Sequence, residues 1–448
     1  MGGTSKTQND VISLIQDEAH PLISSASDWD PILTQIGDRS IVLMGEATHG
    51  THEFYKARAE LTQRLIEEKG FSALAIEADW PDALALNSFI LRDHDESHIM
   101  EAFSAFQRFP MWMWRNSEFL RLVEWLNLHN SKEKTAHQVS LFGIDLYSLY
   151  RSMGEVIRYL ERIDYASARH ARELYSCFDH AGGDPVRYGR LVRIEAQESC
   201  ESAAIEAAKL LFSSKITKGD LRVHAGTLHE DELFYAQRHA ELVRNAESYY
   251  RNLFSPVVNT WNVRDRHMAS TVDHILKHLE SRGRNPKIIV WAHNSHVGDD
   301  RATEMGKRGQ WNIGQLLREM HPEKTFNLGF TTFEGTVMAA REWDEPPELR
   351  NVNPALPESF EGLFHRTGLN DFYLDLTRDS VREPLNESRL ERAIGVIYAP
   401  ETERFSHYFH ARLAEQFDGV IHFDRTSAVD PLDRVPVPEL ADPSPVQF

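Results

Sequence analysis

The chain has 448 residues, 41% of them hydrophobic, which is enough to bury a large core in one α/β domain carrying an insertion, or in two domains. A formal net charge of −19, with no dense Lys/Arg stripe, excludes nucleic acid and anionic membrane as expected partners and favours a small neutral or cationic molecule. No apolar run reaches the length of a membrane span, and the N-terminus lacks the basic-then-apolar order of a signal peptide.

Residues up to about Ile36 read as a helical lead-in, with Val11, Leu14, Ile15, Ile32 and Ile36 at helical spacing. Residues 40–45 form a strand pattern that runs into Glu46, and the loop Gly45-Glu46-Ala47-Thr48-His49-Gly50 leads to a helix over 51–69 with Gly70 as its stop. A second strand, 73–76, runs into Glu77 and is followed by a helix over 81–91. An amphipathic helix over 118–129 precedes a third strand, 141–144, that runs into Asp145.

From 147 to 279 charged and apolar residues repeat at helical spacing with no strand pattern, so this stretch reads as a helical insertion. Its two cysteines, Cys177 and Cys200, sit in this helical stretch, so a disulfide framework and a thiolate metal site are both unexpected and a reducing cytoplasm is the expected compartment. Strand patterns resume at 288–292, which runs into His293, and at 326–330, 336–340, 394–398 and 420–423. Residues 343–357, rich in Pro, Glu and Asn, read as an exposed loop, and the proline-bearing tail 432–448 as partly disordered. The expected architecture is an α/β fold with a mostly parallel central sheet flanked by helices. Segments 1–146 and 280–431 build the core, and the inserted helical domain 147–279 walls the active-site cleft.

Four strands that each end on an ionisable residue carry the functional expectation, because ligands of open α/β sheets bind beyond the carboxyl ends of the strands. Glu46, Glu77, Asp145 and His293 should therefore meet at one rim. His49, His293 and His296 supply groups that exchange protons near neutral pH, and Glu46 or Glu77 can orient His49. Arg58 falls in register with Phe54, Leu61 and Leu65 on one helix face, so it should be buried and needs Glu46 or Glu77 as a partner. The run 106–116 packs four aromatics and two methionines, which suits either core or the wall of an apolar pocket. The polar run 261–268 reads equally as a surface cap and as a cleft element. Candidate substrate contacts are Asp79, Trp80, Trp112, Trp114, Asp145, Asn262, Arg264 and Asn294. Nucleophile-elbow, Walker, dinucleotide and C-x-x-C motifs are all missing, which disfavours serine-triad, P-loop and classical dinucleotide enzymes.

The chain resembles the erythromycin esterase family over nearly its whole length. The resemblance rests on Gly45-Glu46-Ala47-Thr48-His49-Gly50, Ala75-Ile76-Glu77-Ala78-Asp79-Trp80-Pro81, residues 109–116, Gly143-Ile144-Asp145, residues 261–268, Trp291-Ala292-His293-Asn294-Ser295-His296 and Ser406-His407-Tyr408-Phe409. It implies hydrolysis of an ester or lactone, macrolide-like or another metabolite, by a histidine-activated water. Neither a serine nucleophile, a required metal nor a cofactor is implied. His49 would be the general base, with Glu46, Arg58, Glu77, His293 and His296 as the surrounding polar cluster. Two other readings remain open: a zinc or manganese hydrolase that uses Glu46, His49, Glu77, His293 and His296 as ligands, and a non-catalytic protein that binds a small molecule or haem in the same pocket.

Overall fold

The computed structural model describes residues 8–91, 99–212 and 228–433. Its nine-stranded sheet is built from β1 (His20–Pro21), β2 (Ile41–Met44), β3 (Ala73–Asp79), β4 (Ser140–Asp145), β5 (Ile288–Trp291), β6 (Thr325–Ala339), β7 (Glu348–Val352), β8 (Asp371–Asp375) and β11 (Gly419–Thr426). Six strands run parallel in the spatial order β11, β6, β2, β5, β3, β4, while β8, β1 and β7 add antiparallel edges. The fully apolar strands are the interior ones, because a parallel sheet is covered on both faces. Successive residues feed opposite cores: Ile41, Leu43, Ile288 and Val290 enter one, Val42, Met44, Ile289 and Trp291 the other. A separate two-stranded ribbon pairs β9 (Arg389–Arg392) with β10 (Tyr408–Ala411).

The chain places β5 between β2 and β3, so the four strands with ionisable ends become neighbours in the order β2, β5, β3, β4. Met44, Trp291, Ile76 and Gly143 stand in register across them, so Glu46, His293 and Asp145 lie two residues beyond that row and Glu77 one. A bulge in β3 then sets Asp79 opposite Asp145. Between β4 and β5, the described residues form helices and connecting turns without a strand, among them Leu149–Ile163, Leu228–Asn252 and Thr260–Ser281. Among the described residues, no helix is long and apolar enough to cross a membrane.

Several local expectations change. Residues 326–330 and 336–340 are one continuous strand, β6, whose far half carries β7, so the stretch read as an exposed loop holds a strand. The 394–398 stretch contributes only isolated bridges, Ile394 to Thr48 and Ile397 to Ala340, rather than a strand. Cys177 and Cys200 are disulfide-bonded, with Cα atoms 5.9 Å apart. The chain reverses at Gly182 and Gly183, both at positive φ, and returns Cys200 alongside Cys177, a turn that helical periodicity does not reveal. The proline-bearing tail lies outside the described residues from 434 onward.

Gly143 is where the β3 bulge presses closest on β4. A Cβ there would stand 2.5 Å from both the Ala78 and the Asp79 carbonyl oxygens. Gly143→Ala is expected to cost about 1–3 kcal/mol in urea unfolding, because backbone must move to admit the methyl group. An unchanged midpoint would mean that the bulge relaxes without resistance.

Candidate active site

The carboxyl ends of β2, β5, β3 and β4 open into a cavity of about 480 Å³. His49, Glu77, Asp145, Arg264, His293 and His296 make its polar floor, and Pro110, Met113, Trp343, Val396 and Phe409 its apolar wall. The helix His52–Lys69 stands behind the first loop and ends on Gly70 in the left-handed conformation. It carries Arg58, wholly buried, whose Nη2 donates to Glu46 Oε2 at 2.5 Å. Glu46, also wholly buried, accepts at its other oxygen from His49 Nδ1 at 2.7 Å. With Nδ1–H committed to the carboxylate, the neutral ring offers its Nε2 lone pair, and His49 lines the cavity. The Arg58 guanidinium lies 4.5 Å from the Tyr55 ring centre and 4.6 Å from that of Trp291, so aromatic faces replace water around the buried cation.

Arg264 is the second cationic hub. It sits one turn into the helix Thr260–Ser281, which Asn259 caps through the Trp261 N–H, and Trp261, Arg264 and Asp265 share the helix face at i, i+3, i+4 spacing. Arg264 Nη2 donates to Glu77 Oε1 and to Asp145 Oδ2, both at 2.7 Å, and Nε donates to Asp145 Oδ1 at 3.0 Å. Burial alone would raise the Glu77 carboxyl, but the positive charges of His296 and Arg264 outweigh it and hold the group well below the usual carboxylate range. Asp145 is lowered in the same way, with Arg264 overcoming burial. Glu77 Oε2 also accepts the His293 backbone N–H at 2.9 Å, which ties β3 to the β5 loop.

The two histidines after β5 differ. His293 Nδ1 accepts the Ser295 backbone N–H at 3.2 Å and caps the short helix Asn294–Val297, while burial and then the nearby His49 push its pKa down to about 3. It is therefore a neutral ring beside His49, with ring centres 4.9 Å apart. His296 Nδ1 faces the Asp265 carboxylate at 2.8 and 3.1 Å, and Trp261 stacks on its ring at 4.3 Å. Burial lowers His296, but Asp265 and then Glu77 outweigh it and hold its pKa up at about 9.

The six residues expected to form the polar cluster do come together, in two layers: His49, Glu77, His293 and His296 on the cavity floor, and Glu46 and Arg58 sealed behind them. His49 is 7% exposed rather than an open loop side chain. Of the expected substrate contacts, Asp145 and Arg264 line the cavity and the other six do not. Asp79 is spent on Arg108 Nε and the Tyr147 N–H, at 2.8 and 3.0 Å. Trp80 stacks on Phe142 in the core under the inserted helices. Trp112 packs edge-on against Phe109, and Trp114 donates to the Glu77 carbonyl from among Tyr55 and Phe119. Asn262 bridges to Gly309 and Trp311, and Asn294 to Phe330, so both are ties between backbones. Asp265, Arg108, Tyr147 and Asp300 belong to the site or back it, yet were not singled out from sequence. Asp265 and Arg108 had an indirect signal, as members of the runs 261–268 and 106–116. Among the described residues, no three His, Cys, Asp or Glu side chains converge as a metal-ligand set. Arg58 and Arg264 already hold the carboxylates that the metal reading needs.

Residues 66–426 match the family model described as Erythromycin esterase. Erythromycin esterase type II of Escherichia coli is 22% identical over 417 residues, covering 89% of this chain and 93% of that protein. The solved structure of a succinoglycan biosynthesis protein shares the fold with a TM-score of 0.75 at 22% identity, over 96% of this chain and 100% of that one. An erythromycin esterase mutant solved in its open conformation shares it with a TM-score of 0.66 at 19% identity, over 92% of this chain and 96% of the other. The match runs from Ile66, in the last turn of the helix His52–Lys69, through β11, and the chain belongs to the erythromycin esterase family.

Proposed function

We propose that the protein hydrolyses an ester or lactone, macrolide-like or another metabolite of that chemistry, with His49 activating the water. The observation that carries this reading is the Arg58–Glu46–His49 chain. Arg58 pairs with Glu46 away from water, Glu46 takes the Nδ1–H of His49, and Nε2 is left as a base at the cavity. One proton of the water passes to His49, the hydroxide adds to the carbonyl carbon, and the oxyanion lies against the N–H groups of Arg264 or of protonated His296. Arg58 is sealed behind Glu46 and has no access to the cavity, which leaves the oxyanion role to these two. The intermediate then collapses, the C–O bond to the alkoxide breaks, protonated His296 donates its own proton to the leaving oxygen, and the proton held by His49 is afterwards released to restore it. The apolar wall of Pro110, Met113, Trp343, Val396 and Phe409 supports a substrate with a bulky hydrocarbon frame around its ester.

The test is a mass-spectrometric screen for water addition across macrolides, simpler lactones and esters. On a substrate so found, His49→Gln is expected to lower kcat by about 10²–10⁴-fold with the fold intact by circular dichroism. Retention of more than about a tenth of the activity would remove His49 as the base.

Exhaustive chelation is expected to leave that turnover unchanged, since both arginines already neutralise the carboxylates. Activity that returns only when zinc or manganese is added back would support the metallohydrolase instead.

Arg58→Leu strips the buried Glu46 of its cation, while Glu77 keeps Arg264. The single variant should lose about 3–5 kcal/mol of stability and its activity. Adding Glu46→Gln should recover most of the stability and none of the activity. Wild-type stability in Arg58→Leu alone would refute the buried ion pair.

A further inference from the structure

We propose that Asp265 is a positioning residue that makes His296 the proton carrier of the reaction, a role that rests on the hydrolase reading above. Asp265 is wholly buried. Its Oδ1 accepts from the Ile313 N–H at 3.1 Å as well as from His296 Nδ1, so the carboxylate cannot rotate away from the ring. An ionised carboxylate only accepts hydrogen bonds, and Nδ1 must then carry a proton in both charge states of the imidazole.

The exchangeable site is thereby confined to Nε2. That atom lies 3.0 Å from Arg264 Nη1 and 3.4 Å from Glu77 Oε1. A guanidinium can only donate and Glu77 can only accept. The neutral ring takes the arginine's N–H on its Nε2 lone pair, and the Nε2–H of the charged ring has Glu77 Oε1 3.4 Å away as its acceptor. Nε2 therefore has a donor beside it when bare and an acceptor beside it when protonated. His293 lacks this pairing, because its Nδ1 is held as an acceptor by the Ser295 N–H.

The groups facing His296 are Asp265 and Arg264 from the helix Thr260–Ser281, Glu77 from β3, Asp300 from the turn that follows, and His293 from its own turn. Trp261 covers the ring in a near-parallel stack, at 6° between planes, and favours the charged form. Burial opposes that charge, and the two carboxylates overcome it. His296 is thus charged at neutral pH, when His49 must be neutral to act as base. The leaving oxygen receives the Nε2 proton, and the proton taken up by His49 restores His296 through solvent in the emptied cavity.

Two measurements test this. In Asp265→Asn, kcat on a confirmed ester should fall at least tenfold with KM within about threefold, and the alkaline limb of kcat should move down by a pH unit or more. Asp265→Glu should move that limb back towards wild type. Independently of any variant, 15N NMR of histidine-labelled wild-type protein should show one ring that titrates near pH 9 and carries its proton on Nδ1 above that pH. A folded Asp265→Asn with an unmoved alkaline limb, or an Nε2–H tautomer for His296 at high pH, overturns the proposal. If wild-type protein hydrolyses no ester or lactone, the hydrolase reading fails, and the NMR result still decides whether Asp265 orients His296.

Discussion

Three carboxylates stand at the ends of buried parallel strands, and the site depends on how their charge is balanced away from water. Glu46, Glu77 and Asp145 are each at most 6% exposed. An unpaired carboxylate in such a setting would take up a proton, and its strand end would lose its role as an acceptor. Two arginines from different parts of the chain prevent this. Arg58 comes from the helix after β2 and is committed to Glu46, while Arg264 comes from the helix before β5 and spans Glu77 and Asp145. The last helix before β5 therefore supplies the cation that holds Glu77 and Asp145 below the usual carboxylate range.

That balance leaves two histidines in contrasting surroundings on one floor. His49 is backed by a carboxylate whose charge Arg58 already neutralises, while His296 faces two carboxylates, Asp265 and Glu77. The two carboxylates around His296 outweigh its burial and favour its proton, whereas His49 faces a single carboxylate that is already paired with Arg58. His293 between them is a neutral strut whose backbone N–H secures Glu77.

The apolar half of the cavity has a different origin. Met113 and Pro110 come from the aromatic run 106–116, whose tryptophans turn inward to the core. Trp343 projects from the β6–β7 connection and packs on Phe109, with ring centres 4.9 Å apart, so wall residues far apart in sequence meet over the floor. The wall lies outside the main sheet, on loops, a short turn and Phe409 of the β9–β10 ribbon, while the floor combines strand ends with Arg264 from the helix before β5.

Local sequence determined the parts whose physics is local. Four apolar runs that end on Glu46, Glu77, Asp145 and His293 had to be buried parallel strands with their ends on one side, and the register of Arg58 with Phe54, Leu61 and Leu65 required a buried cation with a carboxylate partner. The helix read over 51–69 was legible from its period and its Gly70 stop, and it forms as His52–Lys69. Tertiary structure decided which partner each group took. Glu46 and Glu77 were equal candidates for Arg58, and only the insertion of β5 between β2 and β3 set them apart, giving one to Arg58 and the other to Arg264. The same holds for Asp79, Asn262 and Asn294, polar residues beside the motifs whose hydrogen-bonding groups are consumed by backbone from distant segments. Periodicity reports which face of an element is buried, but a hydrogen bond needs two atoms at one point in space, and for residues tens or hundreds of positions apart only the packed fold specifies that point.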